Sequence, residues 1–182
     1  MGLTDRLFRK HEWNDLLEKL KNKELPSSKI GPAIVKLGKP FDEKKILAAK
    51  DVVAGYLNHK DSWVRREAMW FLTSWGRLPE YRPALIRALR EDPDLDNRAY
   101  AASSLGILDK GNKNPETIKA LRAVLEDDQQ DELVRKYAYR SLLEVVKNNP
   151  VTDFDPNDKR LADVDWTWVK SLSKNSGDIH DK

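Results

Sequence analysis

Apolar residues along this chain recur at helical spacing in short blocks, each closed by a polar turn. Tyr81, Leu85 and Leu89 fall four apart between Pro79 and Glu91. Ile118, Leu121 and Leu125 share one face between Pro115 and Asp127, as do Ile46, Val53 and Leu57 between Phe41 and Leu57. Each block predicts an amphipathic helix that runs into a polar turn at Asn58–Asp61, Asp92–Asp94 or Asp127–Asp131. A second helix follows each turn. Gly76 with Pro79, and Gly111 with Pro115, then close the unit, because glycine terminates helices and proline restarts them. A weaker pair comes first: Leu7–Lys21 with Leu16, Leu17 and Leu20, then Ser28–Leu37 with Ile30, Ile34 and Leu37. Pro32 lies early in that second helix, where its missing N–H is tolerated. The chain breaks at Asn148, Asn149 and Pro150. A last helix, about Lys159–Leu172, carries Leu161, Val164, Trp168 and Leu172 and is expected to cover an open end.

The second helices share a motif that occurs three times in register. Its copies are Asp61-Ser-Trp-Val64-Arg65-Arg-Glu-Ala68-Met-Trp-Phe-Leu72, Asp94-Leu-Asp-Asn97-Arg98-Ala-Tyr-Ala101-Ala-Ser-Ser-Leu105 and Asp131-Glu-Leu-Val134-Arg135-Lys-Tyr-Ala138-Tyr-Arg-Ser-Leu142. The arginines are 33 and 37 residues apart, counted from 65, 98 and 135. A period in this range signals stacked helical pairs, each burying its apolar face only against its neighbours. The pattern resembles the HEAT repeat, particularly the bacterial type shared with phycobilisome-lyase-like proteins, strongly over about 41–147 and loosely over 4–40. The expected fold is all-α: a right-handed alpha-alpha superhelix, a HEAT-like solenoid of about four helical pairs plus a C-terminal capping helix. On this reading residues 1–182 form one solenoid. Residues 1–40 are an N-terminal capping repeat, 41–147 three core pairs, and 148–182 a loop, capping helix and tail. The resemblance implies that Asp61, Asp94 and Asp131, with Arg65, Arg98 and Arg135, join neighbouring repeats in a ladder. Asn97 departs from the valine of the other copies.

Composition agrees with an extended repeat. The chain has 182 residues, 35% of them charged, and its mean hydropathy is −0.71. A solenoid exposes more surface per residue than a globule and tolerates such a charged fraction. There is no cysteine, so disulfides and thiolate metal sites are excluded and a reducing compartment suits the chain. No stretch is apolar enough for a signal peptide core or a bilayer span. Arg6 breaks the myristoylation pattern. A cytoplasmic location is the simplest expectation. Net charge is +3, unevenly spread. Residues 1–60 hold 13 Lys and Arg against 8 Asp and Glu, residues 61–147 hold 15 against 15, and residues 148–182 hold 5 against 7. A duplex-DNA binder shows a stronger basic stripe.

Three arginines at one repeated position belong to structure, since function breaks repeat symmetry. The positions that vary between copies are the candidates for a site. One, four and five residues after the ladder arginine they are Arg66, Met69 and Trp70, then Ala99, Ala102 and Ser103, then Lys136, Tyr139 and Arg140. Set opposite the invariant alanine and leucine, they are expected to point away from the core, and the HEAT resemblance implies that they line a concave face. Arg66, Met69, Trp70, Ser103, Lys136, Tyr139 and Arg140 then form a partner-binding patch with the composition of an interaction hot spot. Trp75 aligns with Leu108 and Val145 and is expected in the core; Trp63 aligns with Asp96 and Leu133 and is expected to be partly exposed. His11, His59 and His180 show no metal spacing, and Asp153–Asp158 lacks the glycine and glutamate of a calcium loop. No catalytic motif appears; Glu67 is a lone carboxylate beside aromatics. The expectation is a monomeric, non-catalytic protein-binding scaffold with no cofactor and no metal. The alternative is a nucleic-acid-binding protein or an enzyme of the HEAT-like DNA glycosylase type.

Overall fold

The structure, a computed structural model, describes residues 3–39, 42–147 and 154–172, with backbone alone over 3–10. Among them the fold is all-α, with helices and short helical turns and no strand. Two compact units divide the chain, Met1–Ala84 and Leu85–Lys182, the boundary falling inside helix α5 (Arg82–Glu91).

The first unit contains α1 (Leu3–Lys21), α2 (Ser27–Gly38), α3 (Glu43–Ala54) and α4 (Ser62–Trp70). Its core gathers Leu20, Ile34, Leu37, Val53, Val64 and Phe71, each at or below 1% exposure. Burying each such side chain contributes roughly 1.5–3 kcal/mol. Aromatic side chains also close the helix ends. A helix leaves its last carbonyls without an internal donor. Trp13 Nε1 donates to the Leu37 carbonyl at 3.1 Å, and the Tyr56 hydroxyl donates to the Leu20 carbonyl at 2.6 Å. Both bonds join elements far apart in sequence.

The end of α4 departs from the expected geometry. Phe71–Trp75 continues it as a single π turn, with the Gly76 N–H bonded to the Phe71 carbonyl at 2.9 Å. Trp75, aligned with half-buried Leu108 and fully buried Val145, is half-buried against the core. Gly76 itself is right-handed; the positive φ at this corner belongs to Arg77, at 49°. Gly76 is instead needed for space, because a Cβ there would lie 2.8 Å from Leu78.

The second unit contains α6 (Leu95–Leu108), α7 (Pro115–Glu126), α8 (Glu132–Lys147) and α9 (Trp166–Ser171). Alanines and Gly106 let α6 approach α8 closely: a Cβ on Gly106 would meet Glu144 Oε2 at 2.7 Å and Ser141 Cβ at 3.0 Å. The loop after α6 turns at Gly111, φ 71°. Its Gly111 and Lys113 N–H groups reach the carbonyls of Glu144 and Val145 at 3.0 and 3.2 Å. Buried Asp109 accepts a hydrogen bond from the Thr117 hydroxyl, tying the loop to α7. The expected last helix, Lys159–Leu172, is shorter than its apolar pattern implies. A 3-10 turn at Leu161–Asp163 precedes α9, and Asp165 caps α9 by accepting from the Trp168 N–H.

Candidate functional site

The repeated aspartates are helix N-caps. Asp61 accepts from the Trp63 N–H at 2.9 Å, Asp94 from Asn97 at 3.0 Å and Asp131 from Leu133 at 2.8 Å. Such caps are typically worth about 1 kcal/mol. The repeated arginines bind backbone carbonyls of the turn before their own helix or of the end of the preceding helix. Arg65, 6% exposed, donates to the carbonyls of His59 and Lys60 at 2.8 and 3.1 Å. Arg98 reaches the Asp92 carbonyl at 3.4 Å, and Arg135 Nε the Leu125 carbonyl at 2.9 Å. A planar guanidinium with several donors suits clustered carbonyls.

The variable positions divide into two kinds. Met69 and Tyr139, expected on the open face, are 1% and 5% exposed, and Ala102 between them is fully buried. The position four after each arginine thus faces inward. The apolar stripe of a packed helix is at least about 100° wide, so a residue next to the invariant alanine is swept inside. Tyr139 is further covered by the chain's own C-terminal segment. Its ring lies 4.8 Å from that of Phe154 and 5.9 Å from that of Trp168, and its hydroxyl accepts from the Asp165 N–H at 3.2 Å. Arg66, Trp70, Ser103, Lys136 and Arg140 are half-exposed.

In the first unit, the outward face of α4 carries Trp63, Arg66, Glu67 and Trp70 at helical spacing. Trp63 is 43% exposed. Its indole lies on the backbone of Gly31 in α2, where a Cβ would come within 3.0 Å of the ring, and its Nε1 donates to Glu67 at 2.9 Å. Burial pushes the Glu67 carboxyl above its ordinary pKa, against the opposing pull of the Trp63 bond and the Arg66 charge. Trp75 lies over Gly38, one heptad beyond Gly31, and its ring meets Trp70 edge-on at 6.4 Å. Two glycines on α2 thus seat two indoles. Sequence reasoning missed this pair, since Gly31 and Gly38 show only a seven-residue spacing. In the second unit, Lys136 pairs with Glu132 at 3.7 Å and Arg140 with Glu144 at 3.5 Å. Glu144 is buried, which raises its pKa despite the Arg140 and Lys110 charges.

Among the described residues no three metal-ligating side chains gather, and no helix is long and apolar enough to cross a membrane. Asp155, in the acidic loop, accepts from the backbone and side-chain amides of Asn157 at 2.9 and 3.1 Å. Its neighbour Asp153 lies outside the described residues.

The family model for HEAT repeats matches residues 16–106 and 82–153, together well over half of the chain. The chain belongs to the HEAT-repeat family. Comparison with curated proteins returns no match. HEAT repeats commonly act as protein-interaction scaffolds and are generally non-catalytic.

Proposed function

We propose that this HEAT-repeat chain is a non-catalytic scaffold, monomeric and cytoplasmic, that holds a protein partner on the exposed faces of its motif helices. The observation that carries the reading is the α4 face: an indole 43% exposed, seated on Gly31, with Glu67 bonded to its edge and Arg66 and Trp70 beside it. Aromatics and arginine are the residues that anchor interfaces. A ring already fixed in place loses little freedom on binding. Ser103, Lys136 and Arg140 are the corresponding candidates in the second unit. Arg65, Arg98 and Arg135 are assigned to structure.

A protein partner is favoured over nucleic acid because Lys136 and Arg140 lean on carboxylates of their own helix. The test is affinity capture with wild type, Trp63→Ala and Arg66→Glu as parallel baits, each checked by a urea melt. A partner held by wild type and lost by both variants supports the reading; equal recovery on all three baits refutes it. Titration with mixed-sequence DNA supplies the other arm. Binding whose log–log salt slope approaches about −0.9 per phosphate contact would assign the face to nucleic acid.

A further inference from the structure

The first unit holds a cleft of about 560 Å³ that shares no residue with the α4 face. Sites that bury small ligands span roughly 300–1,000 Å³. Glu12, Trp13, Asp15 and Leu16 of α1 form one wall; Lys36 of α2, Lys39 just beyond it and Lys45 of α3 form the other. Trp13 is held rigidly, 8% exposed and bonded through Nε1 to Leu37. Lys45 Nζ sits 5.4 Å above the centre of its ring.

The charges are out of balance. Among the described residues no carboxylate pairs with Lys36, Lys39 or Lys45, and Asp15 is taken by Lys19 at 2.7 Å. Three ammonium groups therefore face one uncommitted carboxylate, Glu12. Lys45 also lies in the first turn of α3, the positive end of the helix dipole, where cations are disfavoured. Its ammonium rests on the Trp13 ring rather than on a carboxylate, so its charge is not neutralised. Lys36, in the last turn of α2, and Lys39, its C-cap, complement that helix end; Lys45 has no such role.

We infer that this cleft binds an acidic peptide segment. Its apolar side chain rests against Leu16, and its carboxylates reach Lys36, Lys39 and Lys45. Phosphate is the poorer fit. Lysine offers compact single charges rather than a bidentate fork, and the Lys44 and Lys45 N–H groups at the start of α3 are already bonded to Asp42, at 3.0 and 3.3 Å. Carboxylates spaced along a chain match ammonium groups drawn from separate elements.

The test is fluorescence anisotropy with a labelled peptide of alternating Glu and Leu against the full chain. A Gln and Leu peptide serves as the neutral comparison. The acidic peptide is expected to bind, and the double variant Lys39→Glu, Lys45→Glu to weaken it at least about tenfold, or 1.4 kcal/mol. Lys119→Glu on α7 and Trp63→Ala on α4 should leave the affinity unchanged. That separates failure here from failure of the α4 reading. Equal binding of the two peptides, an affinity unmoved by the double reversal, or complete displacement by equimolar inorganic phosphate would each overturn the proposal. Urea melts keep the variants interpretable.

Discussion

Gly38→Ala sets two physical effects against each other. Gly38 ends α2 with no positive φ, and replacing a helical glycine by alanine ordinarily stabilises by roughly 0.5–1 kcal/mol. Here the new Cβ would lie 1.8 Å from Trp75 Cε3. Ordinary contact begins near 3.4 Å, so the indole must retreat by about 1.6 Å, the difference of the two. It is held edge-on by fully buried Phe71 at 5.9 Å and by Trp70 at 6.4 Å. Overpacking costs about 1–3 kcal/mol, and each aromatic pair lost costs about 0.5–1.5 kcal/mol more. The steric term wins, and we expect net destabilisation of about 1–3 kcal/mol. Urea melts of Gly38→Ala, Trp75→Ala and the double variant measure it as a double-mutant cycle. With Trp75 removed, Gly38→Ala should be neutral or mildly stabilising, because the obstacle is gone. A single variant as stable as wild type would refute the seating of Trp75 on Gly38.

Two further outcomes follow from the second unit. Tyr139→Phe should lose about 1 kcal/mol with the Asp165 hydrogen bond, and Tyr139→Ala about 3–5 kcal/mol by opening the contact with Phe154 and Trp168; equal urea midpoints for the two variants would contradict this. Burial raises the Glu144 pKa in the folded protein, so the folded state holds this proton more tightly than the unfolded one, and stability is lost as pH rises from the unfolded value, about 4.3, through the folded value. Glu144→Gln escapes that loss, so its melting temperature relative to wild type should rise between about pH 4 and pH 7; a difference that falls over this window would reverse the assignment.

The helical pairs were legible because their signals are local. Leu85, Leu89, Leu121 and Leu125 repeat at helical spacing and are all fully buried, whereas the ladder reading of Asp61, Asp94 and Asp131 misses their capping of the motif helices. The site was less legible where burial depends on distant chain. Tyr139 reads as a surface aromatic until Phe154, Asp165 and Trp168 fold over it. Met69 was misplaced for a different reason: three aligned copies identify which positions vary, but not how wide the buried stripe is. The π turn at Phe71–Trp75 has no sequence signature. Gly31 and Gly38 acquire meaning only through indoles supplied by another element.

The turn at Gly111 has a consequence for how the second unit assembles. The last four carbonyls of any helix lack an internal donor, and two of those in α8, on Glu144 and Val145, are met by amides of the loop that precedes α7. The end of α8 is thus finished by chain made about one repeat earlier. Both bonds span more than thirty residues, so they add to the contact order of this unit. Hydrogen exchange at the Gly111 and Lys113 amides should therefore report how often the loop and the α8 terminus, more than thirty residues downstream, come apart.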